Sequence, residues 1–237
     1  MQCFVIITTR SLLWTLLTLV STLAVLSSIL TARWLVGPEH KYHYNVTTVT
    51  EINSKKSYAV EEQVKWYGRT LGIFTRCTLI KGREHCAPFV GLKEAEGGAG
   101  FPIPWQVALV FLTLGVLTGI VTTMAALLGC CVQAVCGKKS LFSVAGAAQA
   151  AAGLLYVVGL MMFPFGFGSE RVQRLCGHGS AVFYLEDCTL GWSFYVALLG
   201  IIGTFICAVL SSLADKAMSS DRIQEEIDDG KILICLP

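Results

Sequence analysis

Of the 237 residues, 54% are hydrophobic and only 14% charged, with 18 Lys and Arg against 16 Asp and Glu and a net charge of +2. Soluble domains carry about a quarter charged residues, so the composition points to a membrane protein rather than a soluble one. The near-balanced charge offers no basic surface of the kind that tracks phosphates, and no nucleic-acid partner is expected.

Four stretches reach the roughly 20 mostly apolar residues that a helical span requires: residues 11–32, 105–135, 141–163 and 191–213. None holds Asp, Glu, Lys, Arg or His between its ends. The first has an apolar core longer than the roughly 7–15 residues of a signal peptide, and no small-x-small site closes it. It is read as an uncleaved span. The chain is then a single tetraspan domain, residues 1–237, with loops 33–104 and 164–190 on one side. The short loop around Lys138 and Lys139, the N-terminus and the tail 214–237 lie on the other.

Charge bias does not orient the chain, because Lys138 and Lys139 are matched by Arg171 and Arg174, and loops beyond about 60 residues cross largely regardless of charge. Chemistry does. Asn45-Val46-Thr47 is a glycosylation sequon, usable only on the lumenal side. Cys77 and Cys86 fall in the first loop and Cys176 and Cys188 in the third, an even pair in each loop assigned to the oxidising compartment. Both loops are therefore expected to be extracellular and both termini cytoplasmic, in the plasma membrane. Whether the protein also cycles through endomembrane vesicles is left open.

Within the first loop, Tyr44–Thr50 alternates with β-branched residues and Tyr58–Val64 is a weaker strand candidate. Taking Lys81-Gly82 as a two-residue turn pairs Ile80 with Arg83, Leu79 with Glu84, Thr78 with His85 and Cys77 with Cys86. Pairs alternate from the turn, so the cysteines meet at a non-hydrogen-bonded site with Cα atoms about 4.5 Å apart. That spacing lies within the disulfide window. Lys is not the favoured Asn or Asp at the first turn position, which leaves a longer loop open. A small antiparallel sheet results, followed by the flexible "EAEGGAG" and by "FPIP", which re-enters the membrane.

Inside the spans, Gly115-x-x-x-Gly119 and the run Ala145–Gly153 form small-residue seams, suited to close helix packing within the bundle or against a partner helix. Gln149 is expected to hydrogen-bond a neighbouring helix. Cys130, Cys131 and Cys136 cluster near the cytoplasmic end of the second span, where cysteines are typical palmitoylation sites; inert buried thiols are the alternative. In the tail, Asp221 and Gln224 have capping-box-like spacing, and Gly230 stops the short helix. The apolar "KILICLP" beyond it calls for contact with lipid or a partner, as in a docking or trafficking signal.

Trp34, then Gly72-Ile73-Phe74 and Cys77…Cys86, resembles the W…GLW…C…C signature of claudin-like tetraspans, with Ile-Phe in place of Leu-Trp and a longer gap. The third-loop pair, with "FPFGFGS", "CGHGS", "DCTLGWSFY" and the tail "SSDRIQEEIDDGKILICLP", is similar to the lipoma HMGIC fusion partner-like tetraspan family over nearly the whole chain. That resemblance implies an all-α four-helix transmembrane bundle with a small extracellular antiparallel β-sheet, and disulfides Cys77–Cys86 and Cys176–Cys188. It also implies a non-enzymatic accessory subunit that binds a channel or receptor in the same membrane and affects its assembly, trafficking or placement. The alternative is claudin-like adhesion or a barrier. Besides such partners and the lipid bilayer, self-association is left open.

No enzyme and no cofactor is expected. The four histidines, His40, His43, His85 and His178, all fall in the outer loops, whereas proton relays place ionisable groups inside the spans. His40-x-x-His43 lacks a third ligand for a metal. No nucleophile–base pair, acidic dyad or phosphate loop stands out, and an independent pore lacks a charged lining.

Overall fold

The computed structural model describes residues 5–52, 55–80, 82–89, 101–136, 141–218 and 233–236. In chain order these form β1 (Val5–Thr8), α1 (Thr9–Leu30), β2 (Leu35–Ile52), β3 (Lys55–Leu71), β4 (Thr75–Ile80) and β5 (Arg83–Pro88). Then follow α2 (Ile103–Cys136), α3 (Leu141–Phe165), α4 (Glu170–Cys176), β6 (Thr189–Leu190), α5 (Trp192–Met218) and β7 (Leu233–Leu236). Two compact units result: a helical one from Met1–Ile29, Gln106–Phe163 and Tyr195–Pro237, and a sheet one from Leu30–Trp105 and Pro164–Phe194.

Among the described residues, four helices are long and apolar enough to cross a membrane, at Thr9–Leu30, Ile103–Ala125, Ser143–Phe165 and Trp192–Lys216. Lipid tails are as apolar as leucine, so no hydrophobic drive pulls such helices together and packing must come from close fit. The sequence of α1 follows that logic. Its buried stripe is Ser11, Trp14, Thr15, Thr18, Ser21, Thr22, Val25, Ser28 and Ile29, while Leu12, Leu13, Leu16, Leu19, Val20 and Leu23 stay exposed. Three of the hydroxyls on this stripe donate back to their own helix, Ser28 to the Val25 carbonyl at 2.7 Å among them. Thr15 donates to the Ser11 carbonyl at 2.8 Å and Thr18 to the Trp14 carbonyl at 2.7 Å.

The small-residue seams close within this unit. A Cβ on Gly115 would run into the Tyr156 ring, and one on Gly119 would lie 2.8 Å from the Thr22 hydroxyl. In the run Ala145–Gly153, a Cβ at Gly146 would collide with Ser211, and at Gly153 it would meet the Phe205 ring at 2.8 Å. Gln149, only 1% exposed, donates to Thr18 Oγ1 at 2.8 Å and accepts from Trp14 Nε1 at 3.2 Å. Trp14 Nε1 also donates to the Cys207 carbonyl at 2.9 Å.

The sheet has strand order β5-β4-β3-β2-β6, antiparallel throughout. Its strands exceed the short segments expected at Tyr44–Thr50 and Tyr58–Val64, because β2 and β3 pair from Leu35↔Leu71 out to Ile52↔Lys55. Gly37 and Pro38 mark the start of β2 as a loop by composition, yet they sit where the register shifts between Val36 and Glu39. A bulge is where a strand tolerates a proline, which has no N–H to give the ladder. Gly37 also admits α4: a Cβ there would lie 2.9 Å from Leu175 Cδ1.

The hairpin register is Ile80↔Arg83, Leu79↔Glu84, Thr78↔His85 and Cys77↔Cys86, with Gly82 in the left-handed region at φ 77°. Strand β6 adds the third loop to the same sheet through Leu35↔Leu190 and Val36↔Thr189, a pairing not foreseen from sequence. The apolar chain end is met by the chain itself. Strand β7 pairs in parallel with β1 through Val5↔Leu233, Ile6↔Ile234, Ile7↔Cys235 and Thr8↔Leu236. The tail helix expected from Asp221, together with Lys138 and Lys139, lies outside the described residues.

Candidate interaction surface of the sheet unit

The residues of the claudin-like signature gather at the foot of the sheet. Trp34 is fully buried; its N–H donates to the Leu71 carbonyl at 3.1 Å and its carbonyl accepts from Gly191 at 2.8 Å. Its indole packs edge-on against Phe194 at 6.0 Å. Gly72 is pressed against the chain leaving α1, where a Cβ would sit 2.7 Å from the Ala32 Cα. Ile73 is fully buried beside it and Phe74 partly so. The hydroxyls of Thr31 and Ser193 share a hydrogen bond of 2.8 Å. These residues anchor the strands; they offer no open chemistry.

Two disulfides staple the unit. Cys77 and Cys86 join β4 to β5 with Cα atoms 4.1 Å apart, and Cys176 and Cys188 close the third loop at 5.0 Å. The Cys77, Glu84 and Cys86 ligand atoms lie within 4.8 Å of one another, but sulfurs bonded to each other provide no thiolate for a metal. The two histidines of His40-x-x-His43 are three residues apart on one strand, so their side chains leave opposite faces. His43 Nδ1 instead meets Glu62 Oε1 at 2.8 Å. Nearby, Tyr67 donates to Glu84 Oε1 at 3.1 Å. Burial and then the Glu84 carboxylate push the Tyr67 phenol up to about 12.

Asn45 is exposed on β2, opposite Glu62 in the ladder. On β3, Val64 and Trp66 are exposed, with Lys41 Nζ 4.9 Å from the Trp66 ring centre. Cys130, Cys131 and Cys136 lie in the last turns of α2, where side chains are outside the described part of the structure.

A feature missed in the sequence is the tip of the third loop. Ala181 and Tyr184 exchange backbone hydrogen bonds of 3.0 and 2.9 Å, which makes Val182 and Phe183 the corner of a tight hairpin. Phe183 has φ 62°, a left-handed conformation that costs a non-glycine residue roughly 1–2 kcal/mol. The loop beneath enforces it: Asp187 N–H donates to the Cys176 carbonyl at 2.9 Å, and Gly179 N–H to Glu186 Oε2 at 2.7 Å. The result is an apolar knuckle, with Phe183 62% and Tyr184 58% exposed and Phe165 edge-on to Phe183 at 5.2 Å. The signal in the sequence was an aromatic run, "AVFY", inside a polar loop closed by cysteines. Its corner carries no Gly or Asn, so it did not register as a turn.

The model of a family described as Lipoma HMGIC fusion partner-like protein matches residues 10–216. The chain is 37% identical to the human LHFPL tetraspan subfamily member 2 protein, over 99% of this chain and all of that one. It is 38% identical to the Danio rerio member 2a protein over the same shares, and 28% identical to the Danio rerio member 3 protein over 38% of this chain and 44% of that one. Four apolar helices, an antiparallel sheet and a full-length match agree: the chain belongs to the lipoma HMGIC fusion partner-like family of tetraspan membrane proteins, with a claudin-like layout.

Proposed function

We propose that the protein is a non-enzymatic accessory subunit that binds another integral membrane protein, a channel or receptor, in the same membrane and governs its assembly, trafficking or placement. In this reading it sits in the plasma membrane with the sheet unit outside, both termini in the cytoplasm, a glycan on Asn45 and acyl chains on Cys130, Cys131 or Cys136. The observation that carries it is the Val182–Tyr184 knuckle. Large apolar side chains are held out by a strained backbone and a disulfide-closed loop, and strain of this kind concentrates where a chain makes functional contacts. The small-residue seams, the other candidate contact surface, are already filled within the chain.

The test places a photo-crosslinking amino acid at position 183 of the full chain in its native membrane and identifies what it captures. A channel or receptor on the same cell, lost on Tyr184→Ala while surface delivery of the protein itself persists, is the expected result. Capture of lipid alone, or of further copies of this chain at cell borders, would overturn the reading, the latter in favour of adhesion. Glycosidase treatment of intact cells tests sidedness separately, through a mobility shift that Asn45→Gln abolishes.

A further inference from the structure

Arginines gather at one recess of the sheet unit. A pocket of about 180 Å³ is lined by Arg69 of β3, Arg76 of β4 and Arg171 and Arg174 of α4, over an apolar floor that includes Leu71 and Leu175. A second pocket, of about 120 Å³, shares Arg69, Arg174 and Leu175 and adds Pro38 and His40. No carboxylate is among the described residues lining either one, although Arg174 also reaches Glu170 on its own helix. Like charges collected in a partly dry recess repel each other. The charged form of Arg171 is disfavoured first by burial, then by Arg76 and Arg174, while its guanidinium is steadied 4.6 Å from the Phe89 ring centre.

We propose that this double recess binds a sulfated glycan chain, whose sulfate groups are held by Arg69, Arg76, Arg171 and Arg174. Guanidinium forks match an oxyanion with paired N–H donors, and the apolar floor strengthens such bonds by excluding water. Two adjoining pockets that share two arginines suit a polymer with repeated anionic groups better than a single ion. The choice of a glycan rests on the outward orientation proposed above, since sulfate esters on polysaccharides are the multivalent oxyanions displayed outside a cell.

The experiment titrates the full chain, in nanodiscs of phosphatidylcholine, with a fully sulfated heparin tetrasaccharide at physiological salt. Arg76→Gln and Arg171→Gln are each expected to weaken binding about tenfold, the scale of one charge-assisted hydrogen bond. Arg83→Gln, in β5 and lining neither pocket, leaves it unchanged, and the desulfated tetrasaccharide does not bind. Thermal melts and intact disulfides verify that each variant is folded. Absence of binding, equal loss with Arg83→Gln, or binding of an inositol phosphate headgroup without binding of the sulfated sugar would overturn the proposal. The titration is blind to sidedness, so a negative result sinks the glycan site alone, whereas absence of the Asn45 glycan shift sinks the orientation.

Discussion

Gln149 of α3 donates to Thr18 of α1 at 2.8 Å, and Thr18 passes the bond on to the Trp14 carbonyl at 2.7 Å. Because Trp14 itself donates to Gln149, the amide is held from both sides by one helix. Bonds of this type in membranes contribute on average about 0.6 kcal/mol and at most about 1.7, since the unfolded chain in lipid also finds partners. Gln149→Leu keeps the volume and removes the bonds, so a loss of about 0.5–1.5 kcal/mol is expected on that scale. A double-mutant cycle of Gln149→Leu with Thr18→Val, read by thermal unfolding in detergent micelles, checks it. Strict additivity of the two changes would show that the pair does not interact.

Gly115 and Tyr156 give a contrasting pair of variants. A methyl group at Gly115 has no room beside the Tyr156 ring, and overpacking of a tight interior costs about 1–3 kcal/mol. Gly115→Ala is therefore expected to lower the unfolding temperature. The Tyr156 hydroxyl is buried without a hydrogen-bond partner among the described residues, so Tyr156→Phe removes a desolvated group and is expected to be neutral or stabilising by up to about 1 kcal/mol. The same melts report both. Destabilisation by Tyr156→Phe comparable to that by Gly115→Ala would mean that the hydroxyl is bonded in the membrane.

Much of the fold was legible because it rests on local patterns. Four uncharged apolar runs mark four helices, and the turn Lys81-Gly82 with cysteines at equal distance on either side sets the β4–β5 register. Gln149 was legible for a similar reason: a lone amide in a span must find a partner. What escaped notice is set by pairing across distance. The full lengths of β2 and β3 depend on each strand finding the other, and polar residues such as Glu39, Lys41 and Lys65 give no alternation to read. Leu35↔Leu190 joins segments from two different loops. The arginine recess draws Arg69, Arg76, Arg171 and Arg174 from three elements, and no spacing in the chain announces it. Phe183 was hidden by the opposite cause, a conformation that its residue type disfavours.

The parallel pairing of β1 and β7 places Ile7 opposite Cys235. An Ile7→Cys variant in a Cys3→Ser background is expected to be joined to Cys235 by a short bis-maleimide, giving a linked peptide in mass spectrometry. Neighbouring strands lie about 4.7–4.9 Å apart, within reach of such a reagent. The chain end then has a partner of its own, and alanine replacement of Leu233–Leu236 is expected to act through the loss of that pairing. If the introduced thiol and Cys235 each take up a separate reagent molecule and no linked peptide forms, the terminal pairing does not exist in the membrane.

Tyr67 gives the sheet unit an alkaline limit. Its phenol is raised from 10.0 to about 12, chiefly by burial and then by the hydrogen bond and charge of Glu84. A group held protonated more tightly when folded adds stability that is complete below its unfolded pKa and is lost as pH rises through its folded one. The window is thus from pH 10 to about 12, where the phenolate would face Glu84 at hydrogen-bonding distance. Tyr67→Phe removes both the bond and the titration. Its melting temperature should fall modestly at neutral pH and then decline less steeply than that of the parent chain above pH 10. Parallel curves for the two proteins across that window would show that Tyr67 and Glu84 do not meet in the folded sheet.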